Sequence, residues 1–231
     1  MILITIIITF YTIVTLSLDG EKDEIVNYFD SKITEMNEKH QTQINVLKAG
    51  ISQDDRRRAK IIDIEKGISE INSDIPYETR FYYAELIVNE TENKTFLTPE
   101  LLAGLISQES RFRTKAESIV GAKGLGQLMP LTAEDQCKHL GIVYYDGIEL
   151  IPKMNIKISA FFLERLLVRY QNESQALAYY NGGGYNAYRY GLKGKSDLTE
   201  LEKEDLSKLA KETDDYVPLV LSFKKKFVGN K

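Results

Sequence analysis

The chain has 231 residues, 43% of them hydrophobic and 28% charged, a balance that fits a folded protein and excludes collagen-like, low-complexity and wholly disordered classes. Against 34 Asp plus Glu stand 30 Lys plus Arg, a formal net charge of −4, so no excess positive field gathers phosphates and nucleic acid is not expected as a partner. One cysteine, Cys137, and two histidines, His40 and His139, supply neither an intrachain disulfide nor a zinc centre; no metal or cofactor is expected, and the chemistry falls to carboxylates and hydroxyls.

Met1 to Leu18 carry no charged side chain and form an Ile-rich run, about 27 Å long as a helix at ~1.5 Å per residue, which barely spans a bilayer. No Lys or Arg precedes it, five of its residues are Thr or Ser, and the following Asp19 to Glu24 segment is net acidic. Three readings fit residues 1–18: an uncleaved membrane anchor, a cleaved signal peptide with a weak cleavage point after Ser17, and a buried or partner-bound apolar helix. The acidic flank favours export of the C-terminal side.

Residues 19–76 read as an amphipathic helical arm. Phe29, Ile33, Met36, Ile44, Leu47 and Ile51 recur at spacings of three and four or multiples of them, and Ile61, Ile64, Ile68, Ile71 and Ile75 repeat the pattern after the polar Asp54 to Arg58 break, which places each set on one helix face. Gly50 and the break permit a hairpin in which the stripes pack together. The continuing register equally permits one long helix that pairs through residues 25–75 with a second copy or a partner helix as a coiled coil. Pro76 ends the arm.

Residues 77–231 carry the chemistry. Thr98-Pro99-Glu100 has the form of an N-cap, a first-turn proline and a dipole-favoured acid, so a helix is predicted to start there, with Leu101, Leu102, Leu105 and Ile106 as its apolar stripe. Glu109, four residues beyond Leu105, falls on that same stripe near the C-terminal end. Desolvation and the negative end of the helix both favour the neutral carboxyl, as a general acid requires. The competing reading is a helical ion pair with Arg113.

Gly121 to Gly126, followed by Gln127-Leu128-Met129-Pro130, is a glycine-dense turn that lets backbone approach a ligand, leading to a helix expected to be capped by Thr132 with Glu134 and Asp135 in its first turn. It lacks the Gly-Lys-Ser/Thr ending of a phosphate loop. Cys137 and His139, two apart on that helix, project about 200° apart, which is poor geometry for a nucleophile and its base. Further on, Ala176 to Gly184 reads as a short helix broken at three glycines, leaving Tyr180 and Asn181 where they reach a cleft; alternatively the tyrosines fill the core and the glycines form a C-cap. Lys224 to Lys226 suit the last turn of a C-terminal helix.

Four ordered motifs in this region resemble the soluble lytic transglycosylase type domain of the lysozyme-like lytic transglycosylase family, from about Tyr77 to Phe227. They are Glu109-Ser110-Arg111-Phe112, the Gly121 to Ala133 stretch, Ala178 to Gly183, and Glu212-Thr213-Asp214-Asp215-Tyr216-Val217. The resemblance implies a mainly α, lysozyme-like α+β domain with a small β-hairpin or irregular loop beside the cleft, and peptidoglycan glycan strands as substrate. Carried over, Glu109 is the single catalytic acid and base, and Ser118, Gln127, Met129, Tyr180, Asn181 and Tyr216 are substrate-binding or cleft residues, with Glu212 as structural support. The implied reaction cleaves the β-1,4 bond between N-acetylmuramic acid and N-acetylglucosamine and closes a 1,6-anhydro ring. Gly126 stands where the family commonly has Met, Gly182 where Ala is frequent and Asp214 where Arg is frequent; the two glycines are expected to loosen the groove wall.

Two alternatives remain open from sequence: a hydrolytic lysozyme on the same fold, and a non-catalytic glycan-binding scaffold of an envelope or virion. The expected location is the exported side of the cell envelope, or a phage particle.

Overall fold

The computed structural model describes Thr9 and residues 22–228; the apolar run of residues 1–18, Thr9 apart, lies outside the described residues. Among those described, no helix is long and apolar enough to cross a membrane. The chain divides into two compact units, residues 1–56 and residues 57–231.

Helix α1 runs over Lys22–Ile71, 50 residues that pass through both Gly50 and the Asp54 to Arg58 stretch. A single interior glycine costs only about 1 kcal/mol and does not stop a helix. In the first unit, Met36, Ile44, Leu47 and Ile51 are exposed, and Glu35 pairs with Lys32 and Lys39 at 2.7 Å each, one turn away on either side.

In the second unit the later stripe is core. Ile61, Ile64 and Ile68 are buried with Ile71 and Ile75 packed beside them in the main hydrophobic cluster, and Gly67 leaves room for the ring of Phe227. Lys60 reaches Glu100 at 2.5 Å, Arg80 reaches Glu65 at 2.7 Å, and the Asn72 amide donates to the carbonyl of Arg111 at 2.9 Å. The end of α1 thus packs as a wall of this unit.

Among the described residues the remaining helices are α2 (Tyr77–Thr91), α3 (Pro99–Ser110), α4 (Pro130–Leu140), α5 (Pro152–Tyr170), α6 (Glu173–Gly191), α7 (Glu200–Ser207) and α8 (Lys211–Lys226), with a 3-10 turn at Ile148–Leu150. The architecture is mainly α, and the loop beside the cleft is irregular, closed by isolated bridges between Glu117 and Lys123 and between Lys123 and Leu128. Helix α3 starts as expected: Thr98 Oγ accepts from the Leu101 amide at 3.3 Å with Pro99 behind it, and the Glu164 carboxylate holds the amides of Thr95 and Leu97 at 3.0 and 2.8 Å. All residues from Leu101 to Ser107 are buried. Its closest neighbour is α8; at Gly104 a Cβ would lie 2.8 Å from the backbone nitrogen of Lys224 and 2.9 Å from the carbonyl of Val220, so only glycine lets the two backbones approach this far. A smaller cluster of Leu128, Ala133, Cys137, Ile148 and Ile158 lies beneath the glycine loop.

Because three fully or nearly fully buried isoleucines come from α1, a fragment beginning at Tyr77 opens the core. Ile64→Ala is expected to cost about 3 kcal/mol in urea unfolding, and residues 77–231 to lose the cooperative transition that residues 57–231 retain. Equal midpoints for the two fragments would refute this assignment of α1.

Candidate active site

Glu109 sits on the last turn of α3. Just past it the chain turns back through two left-handed residues, Arg111 at φ 51° and Phe112 at φ 59°, a conformation that costs a side-chain-bearing residue energy and that surrounding packing must enforce. The enforcement is the Phe112 ring, buried beside Tyr83 and Phe227 with ring centres 6.5 and 6.3 Å away.

The returning segment and the glycine loop then lock together. Ser118 and Ala122 are joined amide to carbonyl at 2.9 Å, Lys123 and Leu128 exchange hydrogen bonds of 2.9 and 3.0 Å, and the Gly124 amide donates to the Ala116 carbonyl at 2.8 Å. The Ser118 hydroxyl accepts from the Ala122 amide at 3.0 Å. Gln127, itself at φ 46°, donates its side-chain amide to the carbonyls of Ala116 and Gly124, both at 3.0 Å.

Beneath the loop, Asn155 of α5 is wholly buried and ties the loop to the 3-10 turn: Oδ1 accepts from the Gly126 amide at 2.7 Å, and Nδ2 donates to the carbonyls of Lys123 at 3.1 Å and of Glu149 in that turn at 2.7 Å. A Cβ on Gly126 would collide with the Ser159 hydroxyl and come within 3.0 Å of the Tyr180 oxygen, and one on Gly182 would lie 2.6 Å from the Thr213 hydroxyl. These glycines therefore tighten the wall rather than loosen it, correcting the expectation drawn from their replacement of larger residues.

The Tyr216 phenol of α8 donates to Glu109 Oε1 at 2.5 Å. The ion pair with Arg113 that was the competing reading does not form; that guanidinium donates its Nε to the Ser110 carbonyl at 3.0 Å instead. Burial pushes the Glu109 carboxyl from 4.5 up to about 7; the Tyr216 hydrogen bond opposes that shift and the charge of Glu212 adds to it. Tyr180, packed against Phe162 with ring centres 5.1 Å apart, donates to the Gly126 carbonyl at 2.9 Å. Burial, reinforced by the Glu109 charge, raises both the Tyr180 and Tyr216 phenols, so both stay donors.

A cleft of about 530 Å³ opens over these groups, lined by Glu109, Arg113, Lys115, Ala116, Glu117, Ser118 and Gln127. Of the residues singled out from sequence, Glu109, Ser118 and Gln127 line it, while Tyr216 and Tyr180 lie beside Glu109. Asn181 and Glu212 are joined at 3.4 Å, with the Asn181 Oδ1 accepting from Thr213 at 2.6 Å. Met129 stands apart, exposed at the start of α4.

Two local expectations are corrected. Helix α6 does not end at the three glycines but bends at Gly183 (φ 76°, ψ −172°) and resumes. Helix α4 begins at Pro130 with Met129 as its cap, not Thr132, so Asp135 falls in the second turn and meets His139 and Arg165 at 3.7 and 3.8 Å. Cys137 is buried, its thiol raised chiefly by burial. Among the described residues no group of three His, Cys, Asp or Glu is placed to hold a metal ion. Sequence reasoning missed Asn155, Thr213 and the cleft-lining cations Arg113 and Lys115.

The mainly α fold has counterparts among lytic transglycosylases. The structure of the lytic transglycosylase Slt from Pseudomonas aeruginosa, an inactive Glu-to-Gln mutant, is 26% identical, with 65% of this chain and 28% of that one covered and a TM-score of 0.52. The 70 kDa soluble lytic transglycosylase of Escherichia coli superposes with a TM-score of 0.54 at 23% identity, over 74% of this chain and 29% of its own. In its complex with bulgecin A, that 70-kDa enzyme gives 0.56 at 24% identity, over 76% and 30%. A transglycosylase of Enterobacteria phage PRD1 is 42% identical over 101 residues, 43% of this chain and 34% of that protein. The chain spans about a third, or less, of the length of these relatives. Residues 87–201 match the model of the Transglycosylase SLT domain, and that stretch of the chain is a domain of this family.

A carboxyl held above its unfolded value binds its proton more tightly in the folded state, so its contribution to stability is present below about pH 4.5 and lost as pH rises to about 7. Glu109→Gln, which mimics the neutral acid, should therefore raise stability by about 2 kcal/mol at pH 8 and leave it nearly unchanged at pH 4. Denaturant titration at the two pH values checks this; a uniform effect would contradict the raised carboxyl.

Proposed function

We propose that the protein is a peptidoglycan lytic transglycosylase that cleaves the β-1,4 bond between N-acetylmuramic acid and N-acetylglucosamine. The observation that carries this reading is the Glu109 carboxyl in its cleft, raised to about 7 by burial and touched by a phenol that the same burial keeps protonated. Protonated Glu109 delivers its proton to the glycosidic oxygen as the bond to the muramyl anomeric carbon breaks, and the substrate's own acetamido oxygen closes onto that carbon. The resulting Glu109 carboxylate takes the proton of the muramyl 6-hydroxyl, whose oxygen displaces the acetamido group and forms the 1,6-anhydro ring. Acid and base are one residue acting in turn.

The supporting groups divide the remaining work. Ser118 accepts a backbone hydrogen bond and keeps its hydroxyl proton for a sugar oxygen, and Gln127, its amide nitrogen engaged by two carbonyls, turns its carbonyl oxygen to the glycan. Tyr180 and Asn181 shape the wall behind Glu109, Glu212 supports Asn181, and Met129 offers an apolar surface farther along the groove. The phage relative fits a setting in which the domain attacks the cell envelope from a virion or from the exported side of a membrane.

Hydrolysis is the second reading, because Glu117 lines the same cleft and a water-activating second carboxylate is what a hydrolytic glycosidase needs. Mass analysis of products from peptidoglycan separates the two: fragments lighter by one water mark ring closure, and reducing ends mark hydrolysis. The value of kcat/KM is expected to fall as pH rises through about 7, where Glu109 loses its proton. Glu109→Gln should lower turnover by at least about 10²-fold, and Tyr216→Phe, which removes the bond favouring the carboxylate, should move the alkaline limb upward. A profile without that limb would overturn the acid role of Glu109.

A further inference from the structure

The cleft holds two cations that the reaction above does not use. Arg113 follows the left-handed pair Arg111 and Phe112, and its backbone amide and Nε both donate to the Ser110 carbonyl, at 3.1 and 3.0 Å. That fixes the root of the guanidinium while its two terminal nitrogens meet no acceptor among the described residues. The Lys115 ammonium likewise has no partner there, although both side chains line the cleft with Glu109. Lone exposed cations occur elsewhere in this unit too; what sets Arg113 and Lys115 apart is that they stand together beside Glu109 in one cleft. With Glu109 as the neutral acid of the reaction, the cleft lining holds these two cations and one further acid, Glu117, a net positive balance.

A chain of N-acetylated sugars is uncharged, and its hydroxyls and acetamides call for hydrogen-bond partners rather than free cations. A pinned guanidinium fork with an ammonium beside it matches carboxylates. Resting on the transglycosylase reading, we propose that Arg113 and Lys115 form a subsite for the carboxylates carried by the muramyl side chain, and that this subsite makes the enzyme select muramyl strands over neutral chitin-type glycan. Those carboxylates have two sources: the free lactyl group of a peptide-stripped strand and the acidic residues of an attached stem peptide.

The test is calorimetric titration of the full chain carrying Glu109→Gln with three oligosaccharides of equal length: a chitooligosaccharide, a peptide-free muramyl oligosaccharide and a peptide-bearing one. At least one carboxylated ligand should bind about tenfold more tightly than the neutral one, with the advantage shrinking at high salt. Adding Arg113→Gln and Lys115→Gln should abolish that advantage and leave the neutral ligand's affinity within about twofold. A gain with the peptide-free ligand assigns the subsite to the lactyl carboxylate, and a gain with the peptide-bearing ligand alone assigns it to the stem. Lys115→Gln by itself touches no internal hydrogen bond and should cost about half of the logarithm of the advantage, which keeps the test open if the Arg113 change disturbs the turn. Equal binding of all three ligands, unmoved by the substitutions, overturns the subsite and leaves the transglycosylase reading standing. Failure to bind any of them overturns both.

Discussion

The hydrogen bond from Tyr216 to Glu109 joins residues 107 positions apart, and most of the second unit's architecture serves to make it. It requires the last turn of α3 to face the first turns of α8, and the two helices come that close because Gly104 presents no side chain to the backbone between Val220 and Lys224. It requires α3 to end where it does, which the left-handed Arg111 and Phe112 impose and the aromatic packing of Phe112 against Tyr83 and Phe227 sustains. Phe227 is in turn seated on Gly67 of α1. A single polar contact is thus backed by apolar packing drawn from α1, α2, α3 and the residue that caps α8.

The glycine loop is held largely by a different means. Buried Leu125 and Leu128 anchor it in the core, and the rest of its shape comes from hydrogen bonds: two with Asn155, two from Gln127 and the bridges through Lys123. Buried amides that satisfy backbone groups in this way specify one conformation, because any other leaves donors and acceptors unpaired in a dry interior. The loop gains rigidity without bulk, which leaves the space above it for a ligand. Ser118 and Gln127 stand at the cleft on this hydrogen-bonded base.

What could be read from sequence follows the range of the interaction concerned. The start of α3 and the position of Glu109 on its apolar stripe are set by residues within one or two turns, and they appear in the structure as expected. The start of α4 was misplaced because Pro130 at the first helical position outranks the cap offered by Thr132. The glycines after Asn181 looked like a stop, yet Gly183 absorbs the whole deviation in one residue and the helical pattern resumes. The Asp54 to Arg58 charges looked like a break, yet the helix carries most of them exposed and sends Arg57 to Asn89 and Glu92. Beyond local range only the resemblance of motifs spoke, bringing Ser118, Gln127 and Tyr216 to Glu109; otherwise an Asn on a helix gives no sign that it is buried under a loop, and Ile61, Ile64 and Ile68 give no sign of which surface they cover. The cations of the cleft were equally hidden, since Arg113 reads as a natural partner for Glu109 until the chain reverses between them.

That reversal bears on the chemistry itself. An Arg113 paired with Glu109 would stabilise the carboxylate and leave no acid at neutral pH. Full burial without any donor would do the opposite, holding the proton so firmly that the group could give it up only at great cost. The site takes a middle course in which burial and the charge of Glu212 raise the carboxyl and one phenol draws it back, so that it settles at about 7. A residue asked to be first a proton donor and then a proton acceptor on the same substrate works best when the two states lie close in free energy. The neutral phenol of Tyr216 suits this balance better than a cation, because it stabilises the carboxylate without cancelling its charge and is itself held protonated by the same burial.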